Sequence, residues 1–295
     1  MPQDSWNYYQ AKNGLVNNSV SDLKFDSQGN LWVGTEFGVS KFSNGVWTGY
    51  NTPQGLIYHQ INSLAIDVNE KIWFATPYGV SSLENGIWQS FTTENGLNYN
   101  YAFDVALDSA GNPWIGLGKG VSHFNGTNWI SYEKNLGNGL VHNIVRTVVI
   151  DRDGAKWFGT EFGISKFNNN AWLTYLAEIP SADFIVSMYV DSKNRLWVGS
   201  LAGVSVFEGE SITDYSYPDG LVYDRVDAIA EDQTGMMWFG TQYGASSFDG
   251  NVWKSYTTEN GLPDNWITGI TVDGDTNIWF GTKSKGIAEL IRVVK

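Results

Sequence analysis

An all-β fold, a seven-bladed β-propeller with four antiparallel strands per blade, is what this 295-residue sequence predicts, on three observations. First, seven tryptophans (Trp32, Trp73, Trp114, Trp157, Trp197, Trp238 and Trp279) follow one another at separations of 41, 41, 43, 40, 41 and 41 residues. A repeat of about 40–45 residues holding four short strands is the pattern of a propeller blade. Second, β-forming runs alternate with Asp-x-x-Gly and Asn-Gly turn clusters inside each unit, the rhythm of an all-β chain. Third, the seventh unit has no fourth strand after Gly286–Leu290, while Ser5-Trp6-Asn7-Tyr8-Tyr9 repeats the pattern of Val46-Trp47-Thr48-Gly49-Tyr50. Trp6 stands 26 residues before Trp32, as Trp47 stands 26 before Trp73. Residues 5–10 are therefore expected as the outer strand of blade seven. They would close a single propeller over residues 1–295 and cover an edge that otherwise invites pairing with another chain.

The first complete unit justifies each strand in turn. Val20, Leu23 and Phe25 form an apolar run that ends at Asp26. Asp26-Ser27-Gln28-Gly29-Asn30 is a turn cluster. Leu31–Thr35 is rich in β-formers and makes the second strand. Glu36-Phe37-Gly38 turns the chain into Val39–Phe42, the third. Ser43-Asn44-Gly45 is a hairpin turn, and Val46–Tyr50 is the fourth strand. Leu23 is replaced in the other units by Leu64, Val105, Val148, Met188, Ile229 and Ile270, an apolar column expected inside. Two residues after each repeat Trp stands Gly34, Ala75, Gly116, Gly159, Gly199, Gly240 or Gly281, which predicts close approach of neighbouring blades. The fourth-strand tryptophans, Trp47, Trp88, Trp129, Trp172 and Trp253, are expected to pack in the core.

Hydrophobic residues make up 42% of the chain and charged residues 17%, a globular composition. Without cysteine there are no disulfides, thiolate metal sites or Cys nucleophile. No apolar run approaches the roughly 18 residues of a spanning helix, so no direct membrane insertion is expected. The Met1–Trp6 segment has neither the basic nor the apolar part of a signal peptide. A net charge of −13, from 31 acidic and 18 basic residues, excludes a nucleic-acid partner, which needs a basic footprint. Binding to anionic membranes is disfavoured for the same reason.

The unit Gly-Leu-x4-Val/Ile, Asp-x-x-Gly-x-x-Trp-x-Gly-Thr-x-x-Gly-Val/Ile-Ser-x-Phe resembles the two-component regulator propeller repeat, and the resemblance runs through every unit. That repeat is best known from periplasmic sensor regions of bacterial hybrid two-component regulators. The resemblance implies a non-catalytic ligand-binding or sensing propeller in the periplasm or outside the cell.

In a propeller, loops from strand four to the next strand one share a face with loops between strands two and three, and such loops carry function. Two residues before each inner strand stand Asn18, His59, Asn100, Asn143, Asp183, Asp224 and Asn265. Short polar groups suit either turn capping or ligand contact. The flanking positions differ from blade to blade and are rich in aromatic and charged residues, which turn geometry alone does not select. A small polar ligand, an oligosaccharide, is expected at Tyr58, His59, Tyr99, Tyr101, Lys119, His142, Glu161, Asp224, Arg225, Tyr243, Trp266 and Lys283. Aromatic planes match the apolar faces of a sugar, and amides and carboxylates match its hydroxyl rim. Lys119 and Lys283 would favour an acidic group.

Two rival readings stand beside this one. His59, His142 and Glu161 fall on the same face and could hold a divalent cation or act as general acid and base. The streptogramin B lyases, seven-bladed propellers of similar length, use a metal with His and Glu on one face. This chain shares their Trp-centred strand only loosely and lacks their repeated Asn-Lys-Ile-Gly-Arg segment. The binding reading needs no cofactor; the lyase reading needs a divalent cation. The other rival is a protein-interaction scaffold, which would present a broad exposed aromatic patch. No phosphate loop, nucleophile elbow or His-Glu-x-x-His helix occurs. The Asp-x-x-Gly turns have too few carboxylates for calcium loops. His123, in register with Lys41, Ser82 and Lys166 on the third strand, is expected to face solvent without a role.

Overall fold

Short β-forming runs joined by tight turns pair with their sequence neighbours, so each repeat folds into its own antiparallel sheet. The computed structural model describes residues 4–134, 139–175, 184–209 and 211–292. Seven four-stranded sheets form, in chain order within blades one to six. Blade 1 runs from the innermost strand Val20–Phe25 through Leu31–Thr35 and Gly38–Ser43 to the outermost strand Val46–Tyr50. The inner strands of the next blades are Ser63–Ile66, Ala102–Leu107, Val145–Ile150, Ile185–Val190, Val226–Glu231 and Ile267–Val272. They surround a central channel. Among the described residues no helix is long and apolar enough to cross a membrane.

The ring closes as the register of Trp6 predicts. Ser5–Tyr9 pairs antiparallel with Ile287–Ile291, the third strand of blade 7, with Ser5 opposite Ile291 and Tyr9 opposite Ile287. The Tyr9 hydroxyl and the Asn7 amide both donate to Glu289 Oε2 at 2.9 Å. Trp6 packs 5.9 Å from the ring of Phe280 and 6.3 Å from that of Tyr256, tying the clasp to blades 7 and 6.

The core lies between sheets. One slab joins Trp73, Val80 and Phe91 of blade 2 to Leu97, Ala102 and Ile115 of blade 3. Another joins Trp279 and Ile287 of blade 7 to Val20, Leu23 and Val33 of blade 1. The small residue after each Trp permits this approach: a Cβ on Gly34 would lie 2.6 Å from Ile61 Cγ2, and one on Gly281 2.5 Å from Val20 Cγ1.

The Asp-x-x-Gly turns prove to be clamps. Asp26 accepts the amides of Gln28 and Asn30 and also the Trp32 indole N–H at 3.0 Å. The same six-residue reach joins Asp151 to Trp157, Asp191 to Trp197, Asp232 to Trp238 and Asp273 to Trp279, at 2.9–3.1 Å. Burial alone would push the Asp191 carboxyl up, but the Trp197 indole and the Arg195 amide and guanidinium outweigh it and hold it below the usual carboxylate range. The balance has the same sign at Asp26 and Asp232. In blades 2 and 3 the clamp is open, and the buried Trp73 and Trp114 indole N–H groups have no hydrogen-bond partner among the described residues.

Candidate ligand-binding site

Three repeated polar residues build one face of the ring. Thr35 donates its hydroxyl to the Gly38 carbonyl at 2.8 Å and accepts the Phe37 amide at 3.1 Å. Thr76, Thr160 and Thr241 do the same in their blades. The Ser40 hydroxyl accepts the Val16 amide, and Ser81, Ser122, Ser165 and Ser246 accept their equivalents at 2.9–3.1 Å. The side chain of Asn18 accepts the Ala11 amide at 2.7 Å, and Asn100, Asn143, Asp224 and Asn265 each accept one amide at 2.6–2.8 Å. The polar ring therefore caps turns, and this is where Asp224 spends its carboxylate. Asp183 lies outside the described residues. The Thr and Ser of the repeat fix the loop backbone, and the variable residues stand on that fixed frame.

The loops do share a face, and most of the expected site residues meet there in local groups. His59 lies between Phe37, 5.6 Å away, and Tyr58, 4.3 Å away, with Tyr78 6.0 Å beyond Tyr58. Tyr99 lies over Gly118, and Tyr101 packs on Phe103 at 4.7 Å. His142 packs on Phe162 at 4.9 Å and accepts the Ile144 amide on Nδ1. Tyr243 meets Tyr223 at 4.5 Å. The two lysines are not free: Lys119 pairs with Glu133 at 3.4 Å and Lys283 with Glu36 at 2.5 Å. Lys283 holds the Glu36 carboxyl below its usual range.

His59, His142 and Glu161 do not converge. Glu161 is taken by Arg146, and among the described residues no group of three His, Asp or Glu could hold a metal ion. His123 does not face solvent as expected. It stacks on Trp114 at 4.1 Å, with Nε2 3.6 Å from Asp108, and burial pushes its pKa down.

At the centre of this face opens the channel, a cavity of about 550 Å³ that runs along the inner strands from Ser21 and Asp227 to Lys24 and Glu231. A β-bulge near the start of the inner strands turns a side chain toward it. The residues at this position are Ser21, Phe103, Arg146, Val186, Asp227 and Thr268, with Asn62 in register in blade 2. Sequence reasoning missed them, although they differ from blade to blade as the flanking positions do. Arg146 Nε donates to Glu161 Oε1 at 3.0 Å, and Nη2 reaches the same oxygen. Its guanidinium sits between the rings of Phe103 and Phe184, 4.8 and 4.6 Å away. Asp227 accepts from Arg225 at 2.7 Å and from the Trp266 indole N–H at 3.1 Å. Burial pushes the Asp227 carboxyl up, against both partners. Deeper in, Asp104 accepts the Val148 amide at 2.8 Å and the Ser63 hydroxyl at 2.6 Å, and burial raises its carboxyl too. The mouth is thus a set of compensated ion pairs around hydrogen-bonding groups, with Trp266 held beside them, 37% exposed.

The sequence profile of the two component regulator propeller matches residues 14–37, 179–202 and 261–284. The fold is similar to the extracellular domain of a hybrid two component system from Bacteroides thetaiotaomicron, with TM-score 0.86 and 19% identity over 98% of this chain and 42% of that one. The chain thus spans about two-fifths of that relative's length. Virginiamycin B lyase from Staphylococcus aureus is similar with TM-score 0.80 and 16% identity over 99% of this chain and 100% of its own. A surface component of the type-IX secretion system of Porphyromonas gingivalis gives TM-score 0.76 and 16% identity over 99% of this chain and 48% of its own. Identities this low show the shared fold alone. No curated protein sequence matches. The chain is a seven-bladed propeller in which three segments match the two component regulator propeller repeat.

Proposed function

We propose that the loop face binds an oligosaccharide at the channel mouth and that the chain is the sensing module of a regulator working outside the cytoplasm. One observation carries the binding reading. The exposed Trp266 indole is pinned by Asp227, which itself lines a polar cavity of about 550 Å³. That volume lies within the roughly 300–1,000 Å³ of small-molecule pockets. A fixed aromatic plane beside a carboxylate offers a sugar one apolar surface and one hydroxyl acceptor. Because Arg146, Arg225 and Lys283 each have a carboxylate partner, the mouth suits a neutral hydroxylated ligand better than a polyanion. The extracellular setting of similar domains supports the sensing part. Calorimetric titration with a panel of neutral and acidic oligosaccharides tests the binding. Heat from at least one neutral glycan is expected, and silence across the panel sinks it.

A protein partner is the second reading. Phe37, Tyr78, Phe162 and Tyr243 stand 54–59% exposed on their threonine-held turns, a pattern that also suits a broad contact.

A further inference from the structure

A second cavity, of about 470 Å³, lies farther out on the same face, between the loops that lead into blades 6 and 7. Tyr217, Tyr223 and Tyr243 border it, 65%, 38% and 58% exposed. Thr257, Glu259 and Asn265 supply its polar wall. Tyr217 occupies the turn position whose amide is capped from seven residues on, through Asp224. The same position holds Ala11, Thr93 and Thr258 in other blades. Tyr217 is therefore an aromatic residue placed where the repeat needs none. Its backbone is held by the cap while its ring stays in solvent.

The two loops that wall this cavity also reach the channel mouth. One runs from Tyr217 through Tyr223 and Asp224 to Arg225, which bonds Asp227 at the mouth. The other runs from Glu259 through Asn265 to Trp266, which bonds the same Asp227. Through Arg225 and Trp266 both walls of the outer cavity are thus anchored to Asp227 in the channel.

We propose that this outer cavity is a second glycan subsite, so that the ligand is a linear oligosaccharide laid from the channel mouth across blades 6 and 7. This rests on the oligosaccharide reading of the mouth. A glycan long enough to fill both subsites adds the contacts of the second to those of the first, and because that second binding event is intramolecular the overall affinity rises. Short glycans fill the mouth alone; longer ones reach the tyrosines.

The test is calorimetry on the full chain with gluco-, xylo- and manno-oligosaccharides of one to six units. For the glycan that binds, affinity should rise at least about tenfold from disaccharide to hexasaccharide. Tyr217→Ala should abolish that rise and leave the disaccharide affinity as it was, with an unchanged melting temperature confirming the fold. Glu259→Gln should reduce the rise in the same selective way. Affinity that is flat with length, or a Tyr217→Ala loss equal for short and long glycans, overturns the second subsite while the mouth reading stands. Failure of every glycan to bind removes both.

Discussion

The two faces of the ring come from one repeat and are put to opposite uses. On the turn face, most blades repeat the same act: an aspartate caps its own turn and grips the tryptophan six residues on. On the loop face, the repeated Thr, Ser and Asn hold only backbone, and each blade displays something different: Phe37 and His59, Arg146 with Glu161, Trp266 on Asp227. Uniformity marks what keeps the ring together. Variety marks what it presents to another molecule.

Substitutions should separate the faces cleanly. Trp238→Ala removes a fully buried ring between blades 6 and 7 and is expected to cost about 3–5 kcal/mol in denaturant unfolding. The exposed Tyr78→Ala on the other face should stay within about 0.5 kcal/mol. A comparable loss from Tyr78→Ala would erase the contrast.

Asp191→Asn leaves part of the Trp197 and Arg195 hydrogen bonding unmet and should cost about 1–3 kcal/mol at neutral pH. Its pH dependence sharpens the point. The folded carboxyls of Asp26, Asp191 and Asp232 lie below the unfolded value of about 3.9. The folded state therefore takes up their protons less readily than the unfolded chain. Their contribution is complete above that value and is lost as pH falls through it toward the folded pKa. Asp104 and Asp227, raised by burial, act in the opposite sense on the loop side. Urea midpoints measured from pH 6 down to 3 should fall, and Asp191→Asn should flatten that fall; an unchanged slope would count against the clamp.

Trp266→Ala should weaken glycan binding by at least about tenfold while the melting temperature holds. Lys283→Met opens an exposed pair with Glu36 and should likewise change stability little, by less than about 1 kcal/mol.

Much of the fold was legible in the sequence because the repeat is enforced by packing. The Trp spacing dictated seven sheets, and the match of Trp6 to Trp47 dictated the closing strand. Leu31–Thr35 and Val46–Tyr50 are strands with the bounds their β-forming runs suggested. The site was half legible. The loops and their aromatic residues were visible as positions that vary within a fixed frame. Arg146 and Asp227 were not, because strand alternation has period two and a bulge shifts its phase by one residue. The partners of Lys119 and Lys283 were hidden as well: Glu133 lies beyond the end of its blade's outer strand, and Glu36 lies across the seam where the ring closes. His123 was misjudged because alignment with lysines suggested solvent, whereas at this position the imidazole stacks on the tryptophan ring and the lysine ammonium groups sit over it.

The clasp also has a mechanical meaning. Ser5 sits opposite Ile291, so tension applied through these two residues would peel the seam one hydrogen-bonded pair at a time, as a zip opens, instead of shearing all of them together. Six blades built from continuous chain would be untouched when the seam gives, which makes the junction of blade 7 the place where pulling would first turn the ring into an open arc.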